Sequence, residues 1–128
     1  MKRLLKLLNC IVGLCIAPHA IALSVICECE YGGKVETITI HPTSDVFDYK
    51  YINLRNRFRF QIQLLSEPSK LKTYVYEFQN NLPVILYAGE QTISPEKCSD
   101  ESKNLGENKV YSSNLGREMY FNCRLNCD

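Results

Sequence analysis

Cysteine is the residue type in this chain best suited to chemistry. Seven are present, Cys10, Cys15, Cys27, Cys29, Cys98, Cys123 and Cys127. Cys27 and Cys29 are two residues apart and Cys123 and Cys127 four apart, so on extended backbone each pair shares one strand face. Sulfurs gathered in this way have two chemistries open to them. As thiolates they could hold zinc or copper(I) in a tetrahedral site. In an oxidising compartment they pair as disulfides. The combination Cys-x-Cys with Cys-x3-Cys is not a recognised zinc signature, and no Cys-x-x-Cys is present to suggest an oxidoreductase. Disulfides are therefore expected among Cys27, Cys29, Cys98, Cys123 and Cys127, two bonds with one thiol left over. If the first and last strands pair, a cross-strand bond such as Cys29 to Cys123 is geometrically natural and would contribute roughly 3–5 kcal/mol.

Other reactive groups form no recognisable constellation. His41 precedes Pro42, which biases it towards extended backbone at a strand end rather than a catalytic base. Glu28, Glu30, Asp100 and Glu101 are scattered and read as solvating charges, since linear spacing cannot show two acids facing across a cleft. Arg55, Arg57 and Arg59 are more suggestive. Alternating arginines near Tyr49 and Tyr51 supply the residue types that anchor protein interfaces. Their competing role is a solvated strand face that discourages edge pairing. The Lys72, Tyr74, Tyr76 and Phe78 face of the next strand is either core packing, the commoner explanation, or an exposed contact patch.

These residues need elements to position them. Met1 to Lys6 is basic, Leu7 to Ala17 apolar, and Ala20-Ile-Ala22 a small-x-small cleavage signal. Residues 1–22 are expected to be a secretory signal peptide, leaving 23–128 as a single exported domain. Cleavage removes Cys10, Cys15 and His19. Loss of Lys2, Arg3 and Lys6 would leave twelve basic residues against fourteen acidic, a formal charge of −2. No basic excess then draws the chain to nucleic acid, and no later apolar run is long enough for stable membrane insertion.

Strict alternation over residues 57–64 puts Phe58, Phe60, Ile62 and Leu64 on one face and Arg57, Arg59, Gln61 and Gln63 on the other. A connector at 66–70 containing Pro68 leads to a second strand over 71–78, completing a β-hairpin. Strands are also expected near 24–31 and 34–41, joined at Gly32-Gly33. Residues 45–53 form an aromatic loop with Phe47, Tyr49 and Tyr51. After a turn at Gln79 to Asn81, Pro83 opens a short apolar run, 84–87, expected to be buried on both faces. A long polar loop, 94–109, follows and contains Cys98. A brief strand at 109–112 and a last strand at 117–127 close the chain. The latter faces Met119, Phe121, Cys123, Leu125 and Cys127 inward. Seven or so short strands without a helix argue for an all-β domain, a small antiparallel sandwich or barrel stabilised by disulfides.

The opening of this domain, a cysteine-bearing strand, the Gly32-Gly33 turn and the β-branched run from Val35 to Ile40, resembles small exported lysozyme inhibitors over barely twenty residues. That resemblance implies a protein partner; the family's later motif has no counterpart in this chain. The expectation for function is a non-enzymatic periplasmic or secreted β-domain that binds another protein. An accessory of an envelope complex, an inhibitor or an immunity protein would fit, as monomer or dimer. The alternative is a zinc- or copper-handling protein built on its cysteines. No cofactor motif is present.

Overall fold

A computed structural model describes residues 23–67, 69–94, 98 and 104–127. The expected signal peptide, Pro68 and residues 95–97 and 99–103 of the polar loop lie outside that set. The described chain is all-β. Its strands are β1 (Ser24–Tyr31), β2 (Lys34–Ile40), β3 (Lys50–Leu54), β4 (Phe58–Ser66), β5 (Ser69–Gln79), β6 (Leu82–Thr92), β7 (Asn104–Ser112) and β8 (Arg117–Asn126). They form two four-stranded antiparallel sheets, ordered β2-β1-β8-β7 and β3-β4-β5-β6. The sheets meet in a sandwich-like arrangement, with the Phe60 and Phe121 rings 4.8 Å apart and Tyr31 edge-on to Phe58 at 5.0 Å.

Period-2 patterning accounts for the core. Phe58, Phe60, Ile62 and Leu64 of β4 are buried, as are Leu71, Thr73, Val75 and Glu77 of β5. Val25, Cys27 and Cys29 of β1 and Met119, Phe121, Cys123 and Leu125 of β8 supply the facing layer. Each fully buried large apolar side chain contributes roughly 1.5–3 kcal/mol. The hairpin turns follow local chemistry. Gly32 and Gly33 both take positive φ, 60° and 78°, and so do Asn80 and Asn81, 51° and 63°. This matches the right-handed twist of the flanking strands.

The last strand is not an edge: β8 lies between β1 and β7. Its register with β1 sets Cys27 directly opposite Cys123 and Cys29 opposite Phe121. The bond is therefore Cys27–Cys123, and the expected Cys29–Cys123 pairing is corrected by a shift of one side-chain position along the face. A second disulfide joins Cys98 to Cys127, and Cys29 is the remaining buried thiol. Intramolecular bonds of this kind point to an oxidising, extracellular-type environment.

Four further expectations change. The aromatic loop contains a strand, β3. The run after Pro83 extends to eleven residues as β6 and is a sheet edge, with Leu82, Val84 and Ile85 exposed, not buried on both faces. The polar loop ends early, because residues 104–109 already belong to β7. Gln63, expected on the solvent face of β4, is fully buried. The β2–β3 connection folds over it, and Thr43 bridges Leu65.

Candidate interaction surface

The register of the second sheet builds one outer face from its four strands. Asn53 lies opposite Arg59, Arg59 opposite Tyr76, and Tyr76 opposite Ile85. In the next row Tyr51 lies opposite Gln61, Gln61 opposite Tyr74, and Tyr74 opposite Ala88. Side chains on such a face touch across strands and along diagonals.

Arg59 occupies its centre. The guanidinium carbon stands 4.3 Å from the Tyr51 ring centroid and 5.3 Å from that of Phe78. Nε donates to Asn53 Oδ1 at 3.0 Å. Stacking and this hydrogen bond fix the fork. No carboxylate lies within ion-pair distance of it among the described residues. Tyr74 joins the array, 6.4 Å from both Tyr49 and Tyr76. Burial foremost, then the neighbouring phenols, pushes the Tyr74 and Tyr76 hydroxyls above their ordinary value. Both stay protonated and able to donate at neutral pH.

Sequence reasoning named Arg55, Arg57, Arg59, Tyr49 and Tyr51, and the fold gathers three of them. Arg59, Tyr51 and Tyr49 share the aromatic face. Arg57 instead lies in the β3–β4 turn, its backbone N donating to Leu54 O at 3.0 Å and its O accepting from Phe78 N at 2.9 Å. Arg55, at φ 49°, packs its guanidinium beside Gly32 at the β1–β2 turn. The alternation of the arginines stops at Arg57 because a hairpin needs residues there. Tyr74, Tyr76 and Phe78 complete the face. Core packing was the commoner expectation for that face of β5; instead Leu71, Thr73, Val75 and Glu77 take the buried side, and Tyr74, Tyr76 and Phe78 stay half-buried on the outer one.

The outer face of the other sheet differs in character. Glu28, Glu30, Glu107, Lys109, Tyr120 and Asn122 contribute to an open concavity of about 510 Å³. Lys109 bonds Glu118 there at 3.1 Å, and the Tyr120 hydroxyl donates to the same carboxylate.

The remaining candidates for chemistry lead elsewhere. Cys27, Cys98, Cys123 and Cys127 are consumed in disulfides, so in this oxidised form they offer no thiolate set for a metal. Burial, with Glu36 adding to it, pushes the Cys29 thiol up to about 12, so it is protonated and unreactive at neutral pH. His41 is exposed beyond the end of β2. Buried Glu77 accepts from Ser112 Oγ and Gln79 Nε2, while Ser112 Oγ also accepts from Leu115 N at 3.0 Å. This polar clasp ties β5 to the end of β7.

Fold and surface together define a disulfide-bonded, two-sheet β-domain with one aromatic face carrying an unneutralised arginine. The chain matches no protein-family model, curated protein or solved structure.

Proposed function

We propose that this is a non-enzymatic β-domain, exported to the periplasm or secreted after cleavage of residues 1–22, that binds another protein through the outer face of β3-β4-β5. The single observation that carries this reading is Arg59, oriented between Tyr51 and Phe78 with no acid paired to it among the described residues. A cation held this way suits a carboxylate supplied from outside. The tyrosines around it add large, stiff contact area at small entropic cost. A sandwich closed by two disulfides, rather than a barrel, suits the role of rigid platform. An accessory of an envelope complex, an inhibitor and an immunity protein all fit, with the domain acting as monomer or dimer.

The test is quantitative capture from exported fractions of the producing organism, with wild-type chain and the Arg59→Glu variant as paired baits. A protein retained by wild type and depleted about tenfold or more on Arg59→Glu is the expected outcome, the size of a hot-spot loss. Equal recovery on both baits would remove the proposal.

A further inference from the structure

The β2–β3 connection holds an apolar tip out in water. Phe47 is 85% exposed and Val46 55%, the former more than any other large hydrophobic side chain among the described residues. Surface turns ordinarily end in polar residues. Here Asp45 and Asp48 flank the apolar pair.

The backbone beneath that tip is tied down from several directions. Thr43 N donates to Leu64 O at 2.9 Å, and Ser66 N to Thr43 O at 3.0 Å. Within the loop, Asp45 N donates to Thr43 Oγ1 at 3.1 Å, Phe47 N to Asp45 Oδ1 at 2.9 Å, and Asp48 N to Asp45 O at 3.2 Å. From below, Gln63 Nε2 donates to Val46 O at 2.9 Å and to Asp45 O at 3.4 Å. Gln63 is fully buried, and its Oε1 has no partner among the described residues. An unpaired buried carbonyl destabilises the fold, and an apolar residue on β4 would avoid it. The glutamine instead holds the backbone that carries the exposed phenyl ring.

We infer that Phe47 is the anchor of the interaction surface, presented by Gln63 for insertion into an apolar pocket of a partner protein; this rests on the reading of the β3-β4-β5 face given above. Tyr49 stacks edge-on to Tyr74, so the tip is continuous with the aromatic face. A ring positioned in advance loses little freedom on insertion, and buried aromatics carry a large share of interface affinity. Charge selects a protein over a bilayer. Interfacial membrane anchors surround their apolar residues with Lys and Arg, whereas carboxylates at Asp45 and Asp48 repel an anionic lipid surface. The pocket that fits is apolar within, basic at the rim beside Asp45 and Asp48, and acidic where it meets Arg59.

The test places a photo-crosslinking phenylalanine analogue at position 47, 51 or 37 of the full chain in its producing organism. Position 37 is exposed on the opposite sheet. A discrete protein adduct is expected from positions 47 and 51 and not from 37. Phe47→Ala in the chain carrying the probe at 51 should cut that adduct about tenfold or more, as for a hot-spot aromatic. Gln63→Leu should lower the adduct at 47 and speed hydrogen exchange of the Thr43 and Asp48 amides, with thermal unfolding still cooperative. An adduct at 51 that ignores Phe47→Ala, or lipid adducts alone at 47, overturns the anchor and leaves the aromatic face standing. Absence of adducts at both 47 and 51 overturns both.

Discussion

Each sheet sets a cation over aromatic rings on its outer face, and the two clusters are finished differently. On the first sheet, Lys109 lies 5.5 Å from the Tyr120 ring centroid and bonds Glu118 at 3.1 Å. The Tyr120 hydroxyl donates to the same carboxylate, so cation, ring and acid satisfy one another. On the second sheet, Arg59 lies closer to its rings, at 4.3 and 5.3 Å, and its cross-strand neighbours Asn53 and Tyr76 are neutral. A face needed only for solubility can be built as the Lys109 cluster is, closed on itself. The Arg59 cluster is open, and a carboxylate from a second molecule would complete it as Glu118 completes the other. The same physics thus yields a cation paired with an acid on one sheet and, among the described residues, an unpaired one on the other.

The most damaging way to break the contrast is to remove the core that both faces stand on. Phe60 is fully buried against Phe121, where the sheets meet. Phe60→Ala should cost about 3–5 kcal/mol in denaturant unfolding, from lost transfer energy and the cavity left behind. Binding should fall with the folded fraction, giving the baseline for surface variants. Next comes the staple of the first sheet. Cys27→Ala with Cys123→Ala should cost about 2–5 kcal/mol, since the bond links residues separated by 96 in sequence. As neither cysteine touches the Arg59 cluster, partner capture should survive wherever the variant remains folded. Loss of capture by a folded double variant would tie the two faces together and defeat the comparison.

Surface changes sharpen the contrast at smaller expense of stability. Arg59→Glu should cost about 1–2 kcal/mol in unfolding, through the ring contacts and the Asn53 hydrogen bond that it removes, while depleting the partner as proposed above. Glu118→Gln, which opens the closed cluster, should leave capture unchanged. A Glu118→Gln variant that lost the partner would show that the first sheet is the docking face.

Much of this was legible in the sequence, for reasons specific to each element. Alternation at Phe58, Phe60, Ile62 and Leu64 fixed the inward face of β4, because a period of two leaves no other choice. The Gly32-Gly33 and Asn80-Asn81 turns were visible because few residues accept positive φ. Disulfide pairing was not, since it depends on a β1–β8 register that no local pattern encodes. Gln63 was misplaced for a related reason: period two assigned its side, but not the loop that covers it. Strand β6 was misjudged because an apolar run looks the same whether it sits at the centre of a sheet or at its edge. Of the aromatic face, Arg59, Tyr51 and Tyr49 were found through residue type. Arg55 and Arg57 were lost to the turn, and Phe47 emerged only once the hydrogen bonds beneath it were known.

Acidification separates the two clusters by the smallest effect. The Tyr120 hydroxyl foremost, and then Lys109, hold the Glu118 carboxyl below its ordinary 4.5. A carboxylate with a depressed folded value contributes stability that is present above its unfolded value and is lost as pH falls through the folded one. The closed cluster is therefore intact at neutral pH and dissolves below pH 4.5, with little effect on overall stability because exposed ion pairs contribute little. Among the described residues no carboxylate pairs with Arg59. Burial holds the Tyr76 phenol beside it above its ordinary value. Ring resonances of Tyr120, followed by NMR from pH 7 to about pH 3 across the usual carboxylate range, should shift with a midpoint below 4.5, while those of Tyr51 stay flat. A carboxylate-like midpoint at Tyr51 would mean that an acid of this chain already faces Arg59, and the open cluster would be closed after all. With a flat Tyr51, no acid of this chain faces Arg59, and a carboxylate from a second molecule would complete its cluster.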